Sequence, residues 1–264
     1  MQHITSRQNA VVKEYRDAAR GEVPDTVLLD GHRLISEALT AGIRLRHVTI
    51  AAAAIEHPDV ERLLQHVDRA LVTVATASAP VMDAVSPVSS TSGIVALAAR
   101  PALDVSPYGG TDPLVVVICD MQNPGNVGAI VRVAEAAGAT GVVVAGVSAD
   151  PFGWKAIRGS MGSVLRVPIS LDASAHDAVA TARRCGASVV ATVPRDGVLL
   201  HAARFTGSVA LLIGGEGIGL TPDVLRAADQ HVSIPMEPPV ESLNAAVASA
   251  VLLYEARRQR LPSS

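Results

Sequence analysis

Three stretches carry residue types and spacings able to do chemistry. They are Asn123-Pro-Gly-Asn126-Val-Gly128-Ala-Ile-Val-Arg132, Gly214-Gly-Glu216-Gly-Ile-Gly219, and Ile234-Pro-Met236 running on to Ser242-Leu243-Asn244. Their glycines let a ligand approach the backbone closely, and a helix that starts at such a turn offers unpaired N–H groups. Arg132 is the one cation in a largely apolar helix and reads as a solvated face or as a functional cation. Glu216 sits in the middle of a glycine loop, an expensive place for a merely solvated charge. Ser242 and Asn244 are both good helix caps, but capping explains one of them more comfortably than both. Each stretch is modest alone, and together they read as one composite pocket.

The elements that must position them are legible on either side. Leu114 to Cys119 is a continuous, valine-rich apolar run, the pattern of a strand buried on both faces. After it, Ile130, Val131, Ala134 and Ala137 recur at helical spacing, with Gly138 where a C-cap glycine would stand. Val209 to Ile213 is a strand ahead of the glycine loop, and Thr221-Pro222 opens the next helix. His231 to Ile234 is the last strand. A long helix follows from about Asn244, with Leu243, Ala246, Val247, Ala250, Val251 and Tyr254 as an apolar stripe, either core or subunit interface. Arg257, Arg258 and Arg260 fall in its last turns, where the helix dipole favours cations. Strands at Gly141 to Ala145 and Ser188 to Thr192 and a helix over about 173–185 complete a parallel α/β domain. In 150–161, Trp154, Ile157 and Met161 share one helical face as packing residues, and Arg158 is a candidate phosphate contact. Ligands of open α/β sheets bind at the carboxyl ends of the strands, where the three stretches lie.

The first hundred residues alternate strands and helices on a smaller scale. A polar, arginine-bearing helix over 4–20 has Ser6 as its candidate N-cap. Strands are expected at Thr26–Asp30, Leu45–Ile50, Leu71–Val74 and Gly93–Ala99. Helices are expected at Gly31–Ala41, from Pro58 and from about Ser78. Gly31-His32-Arg33 reads as a phosphate contact or as plain first-turn surface. The polar loop Ser86 to Gly93 touches substrate or only connects. From Pro101 to Pro113, three prolines and Gly109-Gly110 without apolar periodicity mark a linker. The expected organisation is a small domain over 1–104, a linker over 105–112 and a second domain over 113–264.

Composition narrows the class. At 264 residues the chain can bury a real core. No apolar run is long enough to cross a membrane and no signal-peptide core opens the sequence. Cys119 and Cys185 read as reduced core thiols without metal-ligand spacing, so a cytoplasmic protein without a metal is expected. The formal charge of −3 excludes binding nucleic acid by bulk electrostatics, leaving a local arginine patch. Aromatic residues make up only 2%, which argues against an aromatic stacking platform as the main grip.

In order and spacing, Asn123-x-Gly125-Asn126-x-Gly128-x-x-x-Arg132, Gly214-x-Glu216-Gly-x-Gly219 and Ile234-Pro-Met236 with Ser242-Leu-Asn244 resemble the three motifs of the SpoU (TrmH-like) RNA 2′-O-ribose methyltransferases of the SPOUT superfamily. The resemblance covers nearly all of 112–260. More loosely, the first hundred residues resemble the L30e-like substrate-binding domain that often precedes that fold. The resemblance implies a parallel α/β domain closed by a deep trefoil knot, which sequence physics alone would not suggest. It implies S-adenosylmethionine held by Gly214, Gly219, Ile234, Met236 and Leu243, and a homodimer formed through the C-terminal domain. It further implies that Arg132 activates a ribose 2′-hydroxyl and that Asn126, Glu216, Ser242 and Asn244 orient Arg132 and the ribose, with Glu216 as the arginine's charge partner. RNA would then meet arginines such as Arg7, Arg33 and Arg46, with Arg158. The preferred substrate is ribosomal RNA, 23S in particular, over transfer RNA, by analogy of the N-terminal domain.

Two other classes compete. A dinucleotide-dependent oxidoreductase would also use a glycine loop. However, this loop lacks the first-strand position, the third-glycine spacing and the ribose-binding acid of that fingerprint. A non-catalytic RNA-binding protein with a dead methyltransferase fold would not need Asn126, Arg132, Glu216, Ser242 and Asn244 together.

Overall fold

The structure is a computed structural model that describes residues 1–89 and 92–261. In chain order its strands and helices are β1 (Gln2–Ile4), α1 (Ala10–Arg20), β2 (Thr26–Asp30), α2 (His32–Thr40), β3 (Leu45–Ala51), α3 (Pro58–Gln65), β4 (Thr73–Ala77), α4 (Ala79–Val85) and β5 (Ile94–Ala99). There follow β6 (Leu114–Cys119), α5 (Pro124–Ala137), β7 (Gly141–Ala145), α6 (Trp154–Ser160), β8 (Ile169–Asp172), α7 (Ala175–Arg184), β9 (Ser188–Thr192), β10 (Val198–Leu199), β11 (Val209–Gly214), α8 (Pro222–Arg226), β12 (Gln230–Ser233) and α9 (Ala245–Arg260). The chain divides into two compact units, Met1–Pro101 with Phe152–Arg166, and Ala102–Pro151 with Val167–Ser264. The stretch 152–166 thus counts with the first unit although it lies far along the sequence.

The first unit is a five-stranded mixed sheet in the order β1-β4-β3-β5-β2, with β5 antiparallel to both neighbours. Val12, Tyr15 and Ala18 of α1 and Val81, Met82 and Val85 of α4 bury against Leu28, Ala75, Ala77, Val95 and Leu97. Residues 4–20 are not one helix. Gln2–Ile4 pair in parallel with Ala75–Ala77, and α1 starts only at Ala10, capped by the Asn9 side chain rather than by Ser6. A three-residue strand is too short to show alternation, which is why helical periodicity masks it. Trp154 packs against this core, whereas Met161 ends α6 in the left-handed region and is 41% exposed, so it leaves the expected shared face. Of the polar loop Ser86 to Gly93, Ser90 and Thr91 lie outside the described residues. Ser86 and Ser92 each donate a hydrogen bond to the Asp30 carboxylate.

The second unit is a seven-stranded, wholly parallel sheet in the order β10-β12-β9-β11-β6-β7-β8. Its centre is the valine-rich run expected for a strand covered on both sides, and every residue of β6 and β7 is buried. One face is sealed by Ala175, Ala178, Val179 and Ala182 of α7 and Val224 of α8. α5 and α9 pack against one another, and α9 also meets β11. The chain leaves β6 through α5 toward β7, and leaves β11 through α8 toward β12 on the opposite side. β6 and β11 are neighbours, so the crevice at their carboxyl ends is a topological switch point, the place where such sheets hold ligands.

Candidate active site

Where β6 ends, Asp120 adopts the left-handed region with φ 53°, a conformation Asp tolerates better than most side chains. Its Oδ1 accepts the Val147 N–H at 2.8 Å, tying the tip of β6 to the turn after β7. Three residues on, Asn123 caps α5, its Oδ1 accepting the N–H groups of Gly125 and Asn126. Pro124 at the first helical position has no N–H to leave unpaired. This local chemistry aims the Asn126 side chain across the crevice.

Where β11 ends, Gly214 and Gly215 are required by space. A Cβ on Gly214 would lie 2.5 Å from the Gly219 carbonyl carbon, and one on Gly215 would lie 2.2 Å from the Asp120 carbonyl oxygen. The loop folds back on itself through Gly219 N–H to the Gly215 carbonyl at 3.2 Å. It presents Glu216 to Asn126, whose Nδ2 donates to Glu216 Oε1 at 2.5 Å. On its other side, Asn126 Oδ1 accepts from Asn244 Nδ2 at 3.2 Å. Asn244 Oδ1 in turn accepts the N–H groups of Ala246 and Val247 and so caps α9. One amide relay, Asn244 to Asn126 to Glu216, therefore joins the three motifs.

Beside the relay is a cavity of about 560 Å³ at the carboxyl ends of β9, β11 and β12. All five residues expected to hold a cofactor line it, namely Gly214, Gly219, Ile234, Met236 and Leu243, as do Glu216, Ser242 and Asn244. The volume falls within the usual range for small-molecule sites, and the wall is mostly apolar with a few polar groups and exposed loop backbone. These features fit a nucleoside-sized ligand with a thioether-like tail, held by apolar side chains and by glycine-loop backbone where no Cβ intrudes. Sequence reasoning missed a fourth wall, Thr192-Val193-Pro194 at the carboxyl end of β9. Only its place at a strand tip could have revealed it, since its residue types are ordinary.

Arg132 stands apart. It is exposed on α5, and among the described residues no hydrogen bond joins it to Asn126, Glu216 or Asn244. The expected Arg132–Glu216 pair is therefore replaced by an Asn126–Glu216 bond. Helical geometry explains the difference, because six residues at 3.6 per turn place Arg132 about 120° around the helix from Asn126. Of the expected RNA contacts, Arg7, Arg33 and Arg158 are exposed. Arg46 is half-buried and donates to Thr26 Oγ1 at 2.6 Å and to the Asp25 carbonyl at 2.9 Å, so its guanidinium is tied to the first unit's own framework. Cys119 is buried, which pushes its thiol up to about 12, whereas Cys185 is exposed rather than in the core. Among the described residues no helix is long and apolar enough to cross a membrane, and no group of three or more His, Cys, Asp or Glu could hold a metal ion.

Residues 113–254 match the model of the SpoU rRNA Methylase family. The chain is 33% identical to an uncharacterised tRNA/rRNA methyltransferase of Synechocystis over 99% of its own length and 95% of that protein. It is 27% identical to the Bacillus subtilis 23S rRNA (guanosine(2553)-2′-O)-methyltransferase RlmP, over 97% of this chain and all of that one (100%). Among solved structures, an RNA 2′-O ribose methyltransferase superposes with a TM-score of 0.85 at 33% identity, covering 98% of this chain and 99% of the other. The AdoMet-bound rRNA methyltransferase of Sinorhizobium meliloti gives the same TM-score, 0.85, at 28% identity and 99% coverage of both chains. The motifs, the parallel sheet that carries them and these matches agree: the chain belongs to the SpoU family of rRNA methylases.

Proposed function

We propose that this protein transfers a methyl group from S-adenosylmethionine to a ribose 2′-hydroxyl of ribosomal RNA, with 23S RNA the preferred substrate. The observation that carries the reading is the amide relay, which brings the polar residues of all three motifs to the rim of one cavity. Both the B. subtilis relative and the S. meliloti structure are named for rRNA methylation, which supports ribosomal over transfer RNA. When bound, S-adenosylmethionine supplies an electrophilic methyl group. Ile234, Met236 and Leu243 hold its apolar parts, and the backbone of Gly214 and Gly219 takes its polar edge.

The ribose hydroxyl is a poor nucleophile at neutral pH, so as its oxygen bonds the methyl group and the S–CH3 bond would break to leave a neutral thioether, its proton must pass to an acceptor, here a substrate phosphate or solvent. Asn126 and Asn244 fix the Glu216 carboxylate at the cavity rim, where it orients the ribose together with Ser242. Arg132 cannot serve readily as a base, because its guanidinium stays protonated. Because it lies exposed and outside the cavity lining, its role is to bind a substrate phosphate and, once RNA is seated, to bring positive charge toward the 2′-oxygen. Arg7, Arg33 and Arg158 supply further phosphate contacts, and Arg46 serves the framework. The C-terminal segment forms the trefoil knot characteristic of the superfamily, with the first unit as its L30e-like substrate domain.

The working form is a homodimer in the cytoplasm. The expected stripe on α9 is not core, since the buried face of that helix is Ser249, Leu252, Leu253 and Ala256. Val247, Val251 and Tyr254 remain 51%, 39% and 53% exposed, an apolar face suited to a second copy. The test is transfer of labelled methyl to ribosomal and, separately, transfer RNA from a strain lacking the gene. Wild-type protein labels ribosomal RNA, whereas Arg132→Ala binds the cofactor and labels nothing. Near-normal labelling by that variant removes Arg132 from the mechanism.

A further inference from the structure

Away from the cavity, one side-chain cluster in the first unit has no part in the chemistry above. His57 caps α3, its Nδ1 accepting the Asp59 N–H at 3.3 Å, and this bond orients its ring. The ring of His32, on α2, lies 6.4 Å from it between centroids, with the two planes within 27° of parallel. Stacked bases follow one another at roughly 3.4 Å, so the 6.4 Å between centroids, an upper bound on the gap between the planes, falls just short of two such steps and the rings must part slightly to admit a base. Asp59 bridges the ring edges, with Oδ2 3.5 Å from His32 Nε2 and 3.8 Å from His57 Nδ1. Arg62 engages the other oxygen, Oδ1. The hydrogen bond from Arg62, with help from both imidazoles, holds this carboxyl below the usual carboxylate range, so Oδ2 remains an ionised acceptor at neutral pH. Both rings are open to solvent, their side chains being 33% and 59% exposed. Exposed Arg33 adjoins His32.

We propose that His32 and His57 form a clamp that takes one unpaired purine base of the RNA between their rings, with Asp59 Oδ2 accepting an N–H from the base edge. The inference rests on RNA being the substrate. Imidazoles are among the faces on which unpaired RNA bases stack, and a count of Phe, Tyr and Trp does not register them. A purine covers both rings more fully than a pyrimidine. Guanine is favoured because its N1–H and N2–H₂ lie side by side on one edge, facing a carboxylate. A phosphate is a poorer occupant because the Asp59 carboxylate lies at the ring edges. A metal ion is poorer too, because His57 Nδ1 and Asp59 Oδ1 already have hydrogen-bond partners.

The experiment uses full-length protein labelled at the histidine ε1 carbons and two RNA heptamers, all-uridine and uridine with one central guanosine. The clamp predicts upfield ring-current shifts of both the His32 and His57 signals with the guanosine heptamer, and smaller ones with all-uridine. His32→Ala and His57→Asn, the latter keeping a capping side chain on α3, should each weaken binding of the guanosine heptamer about tenfold. His32→Phe should keep wild-type affinity because it keeps a ring, and His32→Lys should lose it. Unmoved imidazole signals at saturation overturn the clamp. So does wild-type binding by His32→Lys with loss in His32→Phe, the signature of a phosphate contact. Methyl transfer to ribosomal RNA is measured on the same preparation. If that activity is present and the guanosine heptamer does not bind, the clamp alone fails. If no RNA is bound or methylated, the functional reading fails and the clamp with it.

Discussion

Asn244 donates from Nδ2 to Asn126 Oδ1 at 3.2 Å, and this bond ties the first turn of α9 to the first turn of α5. Both helices begin at the cavity rim, each capped by an asparagine side chain. Asn126 passes the connection on to Glu216. An amide suits the middle position because it accepts on one side and donates on the other. Asn126→Ala should lower kcat about a hundredfold, the scale of a small misplacement of reacting groups. The KM for S-adenosylmethionine should change little. Asn126→Asp should be worse, because it sets a carboxylate against Glu216. Steady-state kinetics on both variants checks this, and equal activity of the two would deny the relay a role.

Gly215 shows how tightly the switch point is packed. A Cβ there would stand 2.2 Å from the Asp120 carbonyl oxygen, which belongs to backbone and has little freedom to move. Gly215→Ala should cost about 1–3 kcal/mol in stability, as overpacking does. It should also remove the rise in melting temperature that a bound cofactor gives the wild type. Thermal melts with and without S-adenosylmethionine measure both effects.

In the first unit, the buried His47 meets the Tyr15 hydroxyl at 3.1 Å and Thr49 at 3.2 Å. Burial lowers the imidazole pKa below its ordinary value, so the folded protein prefers the neutral ring. The unfolded chain therefore takes up this proton first as pH falls. Stability is fully present above an unfolded pKa of about 6.5 and is lost as pH drops from there toward the folded pKa. Urea titrations at pH 8, 6.5 and 5 should show falling stability, with a shallower fall in His47→Gln. An identical pH dependence in the variant would show that His47 does not contribute.

The exposed face of α9 makes its own prediction. Val251→Glu places a charge in the apolar patch formed with Val247 and Tyr254. Buried against a second copy without a partner, that charge should weaken the dimer by at least about 3 kcal/mol. Sedimentation equilibrium should find dimer for the wild type and monomer for the variant. An unaffected dimer would place the interface elsewhere, and a wild-type monomer would contradict the homodimer itself.

The three motifs were legible because backbone geometry restricts which residues can stand there. The space at Gly214 and Gly215, Pro124 at the start of α5, and the caps Asn123 and Asn244 leave direct marks in the sequence. The apolar runs of β6, β7 and β11, valine-rich in the first two, likewise reveal strands covered on both faces. Less could be read where tertiary pairing decides. β1 is too short to announce itself, and the order β12-β9-β11-β6 is set by crossovers that no local pattern records. The stripe on α9 had the right period, yet periodicity gives a face and not what covers it. The resemblance implied an Arg132–Glu216 pair, but the turn of α5 gives Glu216 to Asn126 instead.

The central claim is that the methyl group goes to a ribose oxygen, and alkaline digestion of the labelled RNA tests it most directly. A 2′-O-methyl group blocks cleavage of the adjoining phosphodiester, because alkaline hydrolysis needs the free 2′-hydroxyl as its nucleophile. Ribosomal RNA labelled by this protein should therefore release its label in alkali-resistant dinucleotides. Label recovered in mononucleotides would mean base methylation and would contradict the account.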